Sequence, residues 1–255
     1  MISIKTPKEI ECMRCSGRMV AEILEEVRNF IQPGLTTREV DKYAAELMRL
    51  RKVKSAFLGY RGFPGNICIG VNEEVVHGIG SSRRIQYGDI VKIDIGIVVD
   101  GWIGDTATTV AVGVVTPEMT KLMRSTEESL RAGIQAARAG NRVGDISAAV
   151  EAQATKDGFS VVREFVGHGV GRKLHEDPQV PNFGSKNSGP KLKPGMTIAI
   201  EPMINVGRAE VRILADGWTV VTKDGRPSSH YEHMVLIREE GEAEILTCRE
   251  AIALK

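Results

Sequence analysis

The stretch Ile90–Val110, IVKIDIGIVVDGWIGDTATTV, decides how the rest of the chain is read. Ile90, Val91, Ile93, Ile95, Ile97, Val98 and Val99 are strand formers, and Asp100-Gly101 is a strong two-residue hairpin signal. Such a turn sets Asp94 opposite Ala107 and Gly96 opposite Asp105. Side chains alternate along a strand, so Asp94 and Asp105 then sit diagonally on one face. Two carboxylates that close, inside runs that otherwise read as buried, repel one another unless a cation neutralises them. Taken alone, the stretch also fits an exposed edge hairpin with solvated acids. The sharper reading is a metal site.

Upstream, Thr6-Pro7-Lys8-Glu9 is a capping box with proline at the first helical position. Ile10, Met13, Gly17, Val20, Leu24, Val27 and Ile31 follow at helical spacing, and Pro33-Gly34 ends the pattern. Thr36–Glu39 caps a second helix with Val40, Ala44, Leu47 and Met48 inward. A loop over Ser55–Gly65 leads to a strand at Ile67–Val71, a turn at Asn72–Glu74, and Val75-Val76-His77-Gly78.

Downstream the pattern starts again. Thr116-Pro117 opens a helix that Gly140 closes, and Ile146, Val150 and Ala154 line another. Gly34 to Gly140 is an offset of 106, which Val40 to Ile146 repeats, while Gly88–Asp94 aligns with Gly195–Glu201 at 107. A steady offset across helix, turn and strand points to internal duplication. The expected body is one α+β domain over 1–255, with halves at roughly 6–115 and 116–250. Curved antiparallel strands lie inside it and helices outside. Asp94 and Glu201 then occupy equivalent places and face one another across a pseudo-two-fold axis. Glu201 lies in TIAIEPM, an apolar strand in which a lone carboxylate makes no sense as surface.

Composition bounds the function. A formal net charge of +1 gives no global pull towards nucleic acid or an anionic membrane. No apolar run approaches membrane-spanning length. Four cysteines, Cys12, Cys15, Cys68 and Cys248, are too few and irregular for a disulfide framework, so a reduced, cytoplasmic chain is expected. Of five histidines, His77, His168 and His175 stand in glycine- or proline-bearing segments, where a ligand and a hydrogen-bonded structural histidine are both open readings. A strand is expected at Phe159–Val166, before Gly167-His168-Gly169. His230 and His233 read as flanking residues without chemistry.

Six motifs in order carry a resemblance: VVHGIG (75–80), the acidic hairpin, FVGHGVG (165–171), LHEDPQVPN (174–182), IAIEPM and YEHMVLI. Together they resemble the type I methionine aminopeptidases of the pita-bread metallopeptidase family, from Lys5 to the last strand. The resemblance implies two divalent ions (cobalt, manganese, iron or zinc) held by Asp94, Asp105, His168, Glu201 and Glu232. It also implies substrate-facing histidines at His77 and His175, and a methionine pocket of Tyr60, Phe63, Cys68, Leu174 and Trp218. Catalytic roles then fall to His77, His175 and Glu201. The implied activity is removal of N-terminal methionine from nascent proteins and peptides with a small, uncharged second residue, by attack of a dinuclear-metal-activated hydroxide on the first peptide bond. Gly80 stands where the family usually has proline, and Leu174 where phenylalanine is common, which bears on the pocket rim. A monomer is expected, with no membrane and no specific nucleic acid, and docking to ribosomes through basic loops is left open.

Overall fold

A computed structural model describes residues 2–248; residue 1 and residues 249–255, which include the end of the expected second half, lie outside it. Four helices occur among the described residues: α1 (Pro7–Phe30), α2 (Thr37–Leu50), α3 (Pro117–Ala136) and α4 (Val143–Lys156). Both expected capping boxes form. The Glu9 carboxylate accepts the Thr6 N–H at 2.9 Å and the Glu39 carboxylate accepts that of Thr36 at 2.7 Å, satisfying amides the first helical turn leaves open. α1 stops at Phe30, short of Pro33-Gly34, and α3 at Ala136, short of Gly140. In both cases a loop rather than the glycine ends the helix.

Each helix pair covers its own antiparallel sheet. Val20, Ile23, Leu24 and Val27 of α1 and Val40, Ala44 and Leu47 of α2 pack on Ile69, Val91, Ile93 and Ile95. Leu122, Leu130 and Ile134 of α3 and Ile146, Val150 and Ala154 of α4 pack on Ile198 and Ile200. Each fully buried aliphatic side chain there contributes roughly 1.5–3 kcal/mol relative to exposure.

The first sheet centres on Ile90–Val99, which pairs with Trp102–Ala111 along its whole length and with Cys68–Val71 and Lys54–Ser55. The second runs Glu244–Ile245, His233–Leu236, Thr197–Ile200, Gly167–Gly169, Glu176–Val180. Two smaller three-stranded sheets also occur among the described residues. The repeat is legible in the contacts: the bridge Thr36↔Arg84 recurs as Arg142↔Lys191. In both sheets the aliphatic face meets the helices, so the opposite faces, with Asp94 and Glu201, look into the space between the halves.

One expected strand is much shorter than its pattern implies. Over Phe159–Val166 only Ser160–Val161 is extended and paired, whereas the glycine run itself forms the strand Gly167–Gly169. Its glycines are there because neighbouring backbone lies against them: a Cβ on Gly167 would collide with the Ala199 carbonyl, and one on Gly169 with that of Asp177. Among the described residues no helix is long and apolar enough to cross a membrane.

Candidate metal centre and active site

The hairpin register is the expected one. Asp100 (φ 49°) and Gly101 (φ 80°) both take the left-handed backbone of a type I′ turn. Asp94 pairs with Ala107 and Gly96 with Asp105, which makes the two acids diagonal neighbours. Gly96 leaves room for the Phe57 ring, which a Cβ there would strike.

The second half supplies its groups from strand ends and gaps. Glu201 directly follows Thr197–Ile200, and Pro202, lacking an N–H, interrupts the strand there. Glu232 lies in the gap between Ser228–His230 and His233–Leu236. It hangs on the first half's hairpin: its N–H donates to the Ala107 carbonyl at 2.9 Å, and Thr106 Oγ1 donates to its carbonyl at 2.8 Å. His168 is the middle residue of Gly167–Gly169. Its Nδ1–H donates to the Gly169 carbonyl at 2.9 Å, which leaves the Nε2 lone pair 3.5 Å from Glu201 and 3.8 Å from Asp105. Asp105, His168 and Glu232 are only 3%, 6% and 2% exposed, and one potential ligand atom from each lies within 4.8 Å of the others.

Electrostatics test whether a cation fits. Burial, then Glu201, raises Asp94 well above the ordinary carboxylate value; burial, then Asp94, does the same to Asp105, and burial, then Asp105, to Glu201. Burial pushes His168 down to about 3, so its imidazole is neutral. Buried oxygens Asp94 Oδ1 and Asp105 Oδ1 receive no hydrogen bond among the described residues. Cys68 and the Thr106 N–H each offer one hydrogen bond, to Asp94 and Asp105 respectively, too few donors for so many buried carboxylate oxygens, a shortfall that protons or cations make good. The donor set fits hard and borderline divalent ions of the cobalt, manganese, iron and zinc kind.

All twelve residues expected in the site line one cavity of ≈ 300 Å³. Cys68 pairs in register with Asp94, and burial, then the charges of Asp94 and Asp105, raises its thiol well above the ordinary value. Phe63 and Trp218 meet edge to face at 5.2 Å. Trp218 is set by a turn in which Asp216 accepts its N–H and that of Thr219, both at 2.9 Å. His77 closes the strand Glu74–Val76 with φ 58° and stands edge-on to Phe165 at 5.3 Å and to Trp218 at 6.4 Å. Burial, then His175, lowers His77 to about 4. His175, lowered by burial and then by Arg61, meets the Tyr60 hydroxyl at 2.7 Å through Nδ1, and its ring centroid is 4.3 Å from that of His168.

Sequence reasoning missed residues of this cavity. Phe57 and Phe165 also line it. The second of them sits inside the FVGHGVG motif that had drawn attention to His168 alone. His230, read as a flanking residue, is 1% exposed with Nε2 3.7 Å from Glu201 Oε2. Glu201 comes from a different strand, so no local pattern around His230 marks the contact.

Comparison with known proteins agrees with the geometry. The model of metallopeptidase family M24 matches residues 11–239. Methionine aminopeptidase 1 of Bacillus subtilis is 50% identical over 241 residues, covering 94% of this chain and 97% of the relative. The crystal structure of methionine aminopeptidase from Thermotoga maritima superposes with TM-score 0.94 at 47% identity, covering 97% of this chain and 99% of that one. The Rickettsia prowazekii methionine aminopeptidase gives TM-score 0.95 at 37% identity, covering 97% and 100%. These proteins share the pita-bread architecture, α+β with helices outside two related antiparallel halves. The chain belongs to metallopeptidase family M24, and within it to the methionine aminopeptidases.

Proposed function

We propose that the chain is a single catalytic unit that hydrolyses the first peptide bond of chains beginning with methionine, acting on new proteins in the cytoplasm as a monomer. In this reading Asp94, Asp105, His168, Glu201 and Glu232 hold two divalent cations, whose four positive charges match four carboxylates. Bound there, such ions would supply Lewis acidity towards a water and the scissile carbonyl. The observation that carries the reading is convergence: carboxylates and an imidazole from both halves meet in the cavity that the aromatic residues also line.

The chain's own groups then divide the work. Tyr60, Phe63, Cys68, Leu174 and Trp218 enclose the methionine side chain, with Cys68 as the neutral, polarisable thiol beside the thioether. Burying that side chain contributes roughly 1.5–3 kcal/mol, and a charged side chain finds no partner in that wall. With the Tyr60 hydroxyl donating to Nδ1, the neutral His175 keeps its proton on Nε2 and donates it towards the carbonyl oxygen as charge develops. His77, also neutral, orients the substrate near the scissile nitrogen. Glu201 passes a proton to the leaving amine. Crowding near His77 favours a small second residue.

The test is kcat/KM over a peptide panel on protein loaded with each divalent ion. Met-Ala-Ser and Met-Gly-Ser should far outpace Met-Leu-Ser and Met-Arg-Ser, and norleucine in place of methionine should be cleaved but less well. Faster cleavage of a Xaa-Pro series lacking methionine would move the chain to a proline-directed specificity.

A further inference from the structure

Lys5 precedes the first helix, far in sequence from the site, yet its side chain is only 3% exposed. Its Nζ meets Glu176 Oε2 at 2.7 Å, and Glu176 is itself largely buried, at 16%. The other carboxylate oxygen, Oε1, accepts the backbone N–H groups of Arg172 at 2.9 Å and Lys173 at 3.2 Å. One carboxylate thus closes the 171–176 turn on itself and ties it to the N-terminal segment. Gly171 makes the arrangement possible, because a Cβ there would lie 2.6 Å from Glu176 Oε1 and 2.8 Å from Lys5 Nζ. The anchor is fixed at both ends: the Lys5 N–H donates to the Gly195 carbonyl at 2.8 Å, and the Gly171 carbonyl accepts from Ile103 N–H at 2.8 Å. Leu174 and His175, which line the cavity, are the residues this turn presents.

A buried ion pair is a poor stabiliser, since both partners give up water to form it. What it supplies here is geometry. From these contacts we infer that Lys5 is a positioning residue for His175, setting the imidazole through Glu176 without touching substrate. The inference rests on the proposed role of His175 and extends it to the N-terminal segment. Displacing a reacting group by about an ångström through a distant change costs up to ~100-fold in rate.

The test measures kcat, KM and metal content for Lys5→Met, Lys5→Arg and Glu176→Gln with Met-Ala-Ser. Lys5→Met should lower kcat roughly 10-fold with KM within about 2-fold, and leave metal content unchanged. Lys5→Arg, which can still reach the carboxylate, should recover most of the loss. Glu176→Gln keeps an oxygen for the turn's N–H groups and removes only the ion pair, so it should resemble Lys5→Met even if that variant folds poorly. A purely structural effect would persist in any background. In His175→Ala protein, by contrast, Lys5→Met should cost less than about 2-fold more, because the group it positions is gone. Wild-type kcat in both Lys5→Met and Glu176→Gln, loss of metal, or fully multiplicative losses with His175→Ala each overturn the inference. Wild-type protein that fails to cleave Met-Ala-Ser overturns the functional reading and this inference with it.

Discussion

The two halves use one plan with unequal regularity. The first carries Asp94 and Asp105 on a single hairpin with ten residues in each arm and an unbroken register. The second brings Glu201, Glu232 and His168 from short strands, beside Pro202 and across a gap before His233. The pairing even breaks strict repetition: Ile93 faces Thr108 as Ile200 faces His233, so by strand count the counterpart of Glu232 is Ala107, not Asp105. Glu232 reaches the cluster because its backbone is bonded to Ala107 and Thr106 of the other half. Regular structure fixes the first pair of carboxylates, and interruptions free the second half to carry Trp218 and the His175 turn. The candidate metal-ligand cluster thus draws on both halves, whereas the histidine and aromatic shell leans on irregular segments.

The largest effect should come from breaking the cluster on either side. Asp105→Asn and Glu232→Gln should both fall to background activity and lose metal, although one sits in regular and the other in irregular backbone. Asp105→Asn also removes a charge from a buried, self-repelling group, so the metal-free variant should melt at a higher temperature than metal-free wild type. Activity loss in one variant with full retention in the other would show that the halves do not share one site.

Next in size is His175→Ala, which tests the irregular side. It should keep the fold and metal content while kcat falls on the order of 100-fold, the usual cost of a preorganised donor to a developing oxyanion. Loss of metal in this variant would make His175 a ligand and erase the division between the two regions.

The smallest effect is read in stability against pH. His77 and His168, lowered by burial from 6.5 to about 4 and about 3, contribute stability that is present above 6.5 and lost as pH falls from there through about 4 and about 3. Asp94, Asp105 and Glu201 are raised, so without a cation they favour the fold while protonated, and that contribution is lost as pH rises above the ordinary carboxylate range. Metal-free protein should therefore lose the stability these carboxyls supply as pH climbs above the ordinary carboxylate range, while the two imidazoles add no further change above 6.5. Manganese-loaded protein should not, since a bound cation favours the ionised carboxylates. The same slope with and without metal would contradict the placement of these acids around an ion.

Much of this was legible in the sequence, for physical reasons that differ by region. Asp100-Gly101 dictates a turn type and hence a register, so the placement of Asp94 against Asp105 could be read residue by residue. The capping boxes at Thr6 and Thr36 marked helix starts within a residue. The length of the strand expected over Phe159–Val166 was not legible, because beyond Ser160–Val161 its apolar residues pack in a loop while close backbone contacts make a strand of Gly167–Gly169. His230 stayed hidden because its neighbour Glu201 arrives from a strand distant in sequence, a contact that no local propensity encodes.

In the proposed function, carboxylates from both halves hold the cations needed to release methionine, and everything else about the site depends on that role. Its most direct test is Met-Ala-Ser cleavage by protein stripped of metal, with cobalt, manganese, iron or zinc added back singly and metal content followed by elemental analysis. Stripped protein should be inactive, and at least one ion should restore turnover as it is taken up. Full cleavage by protein in which no metal is found would contradict the account.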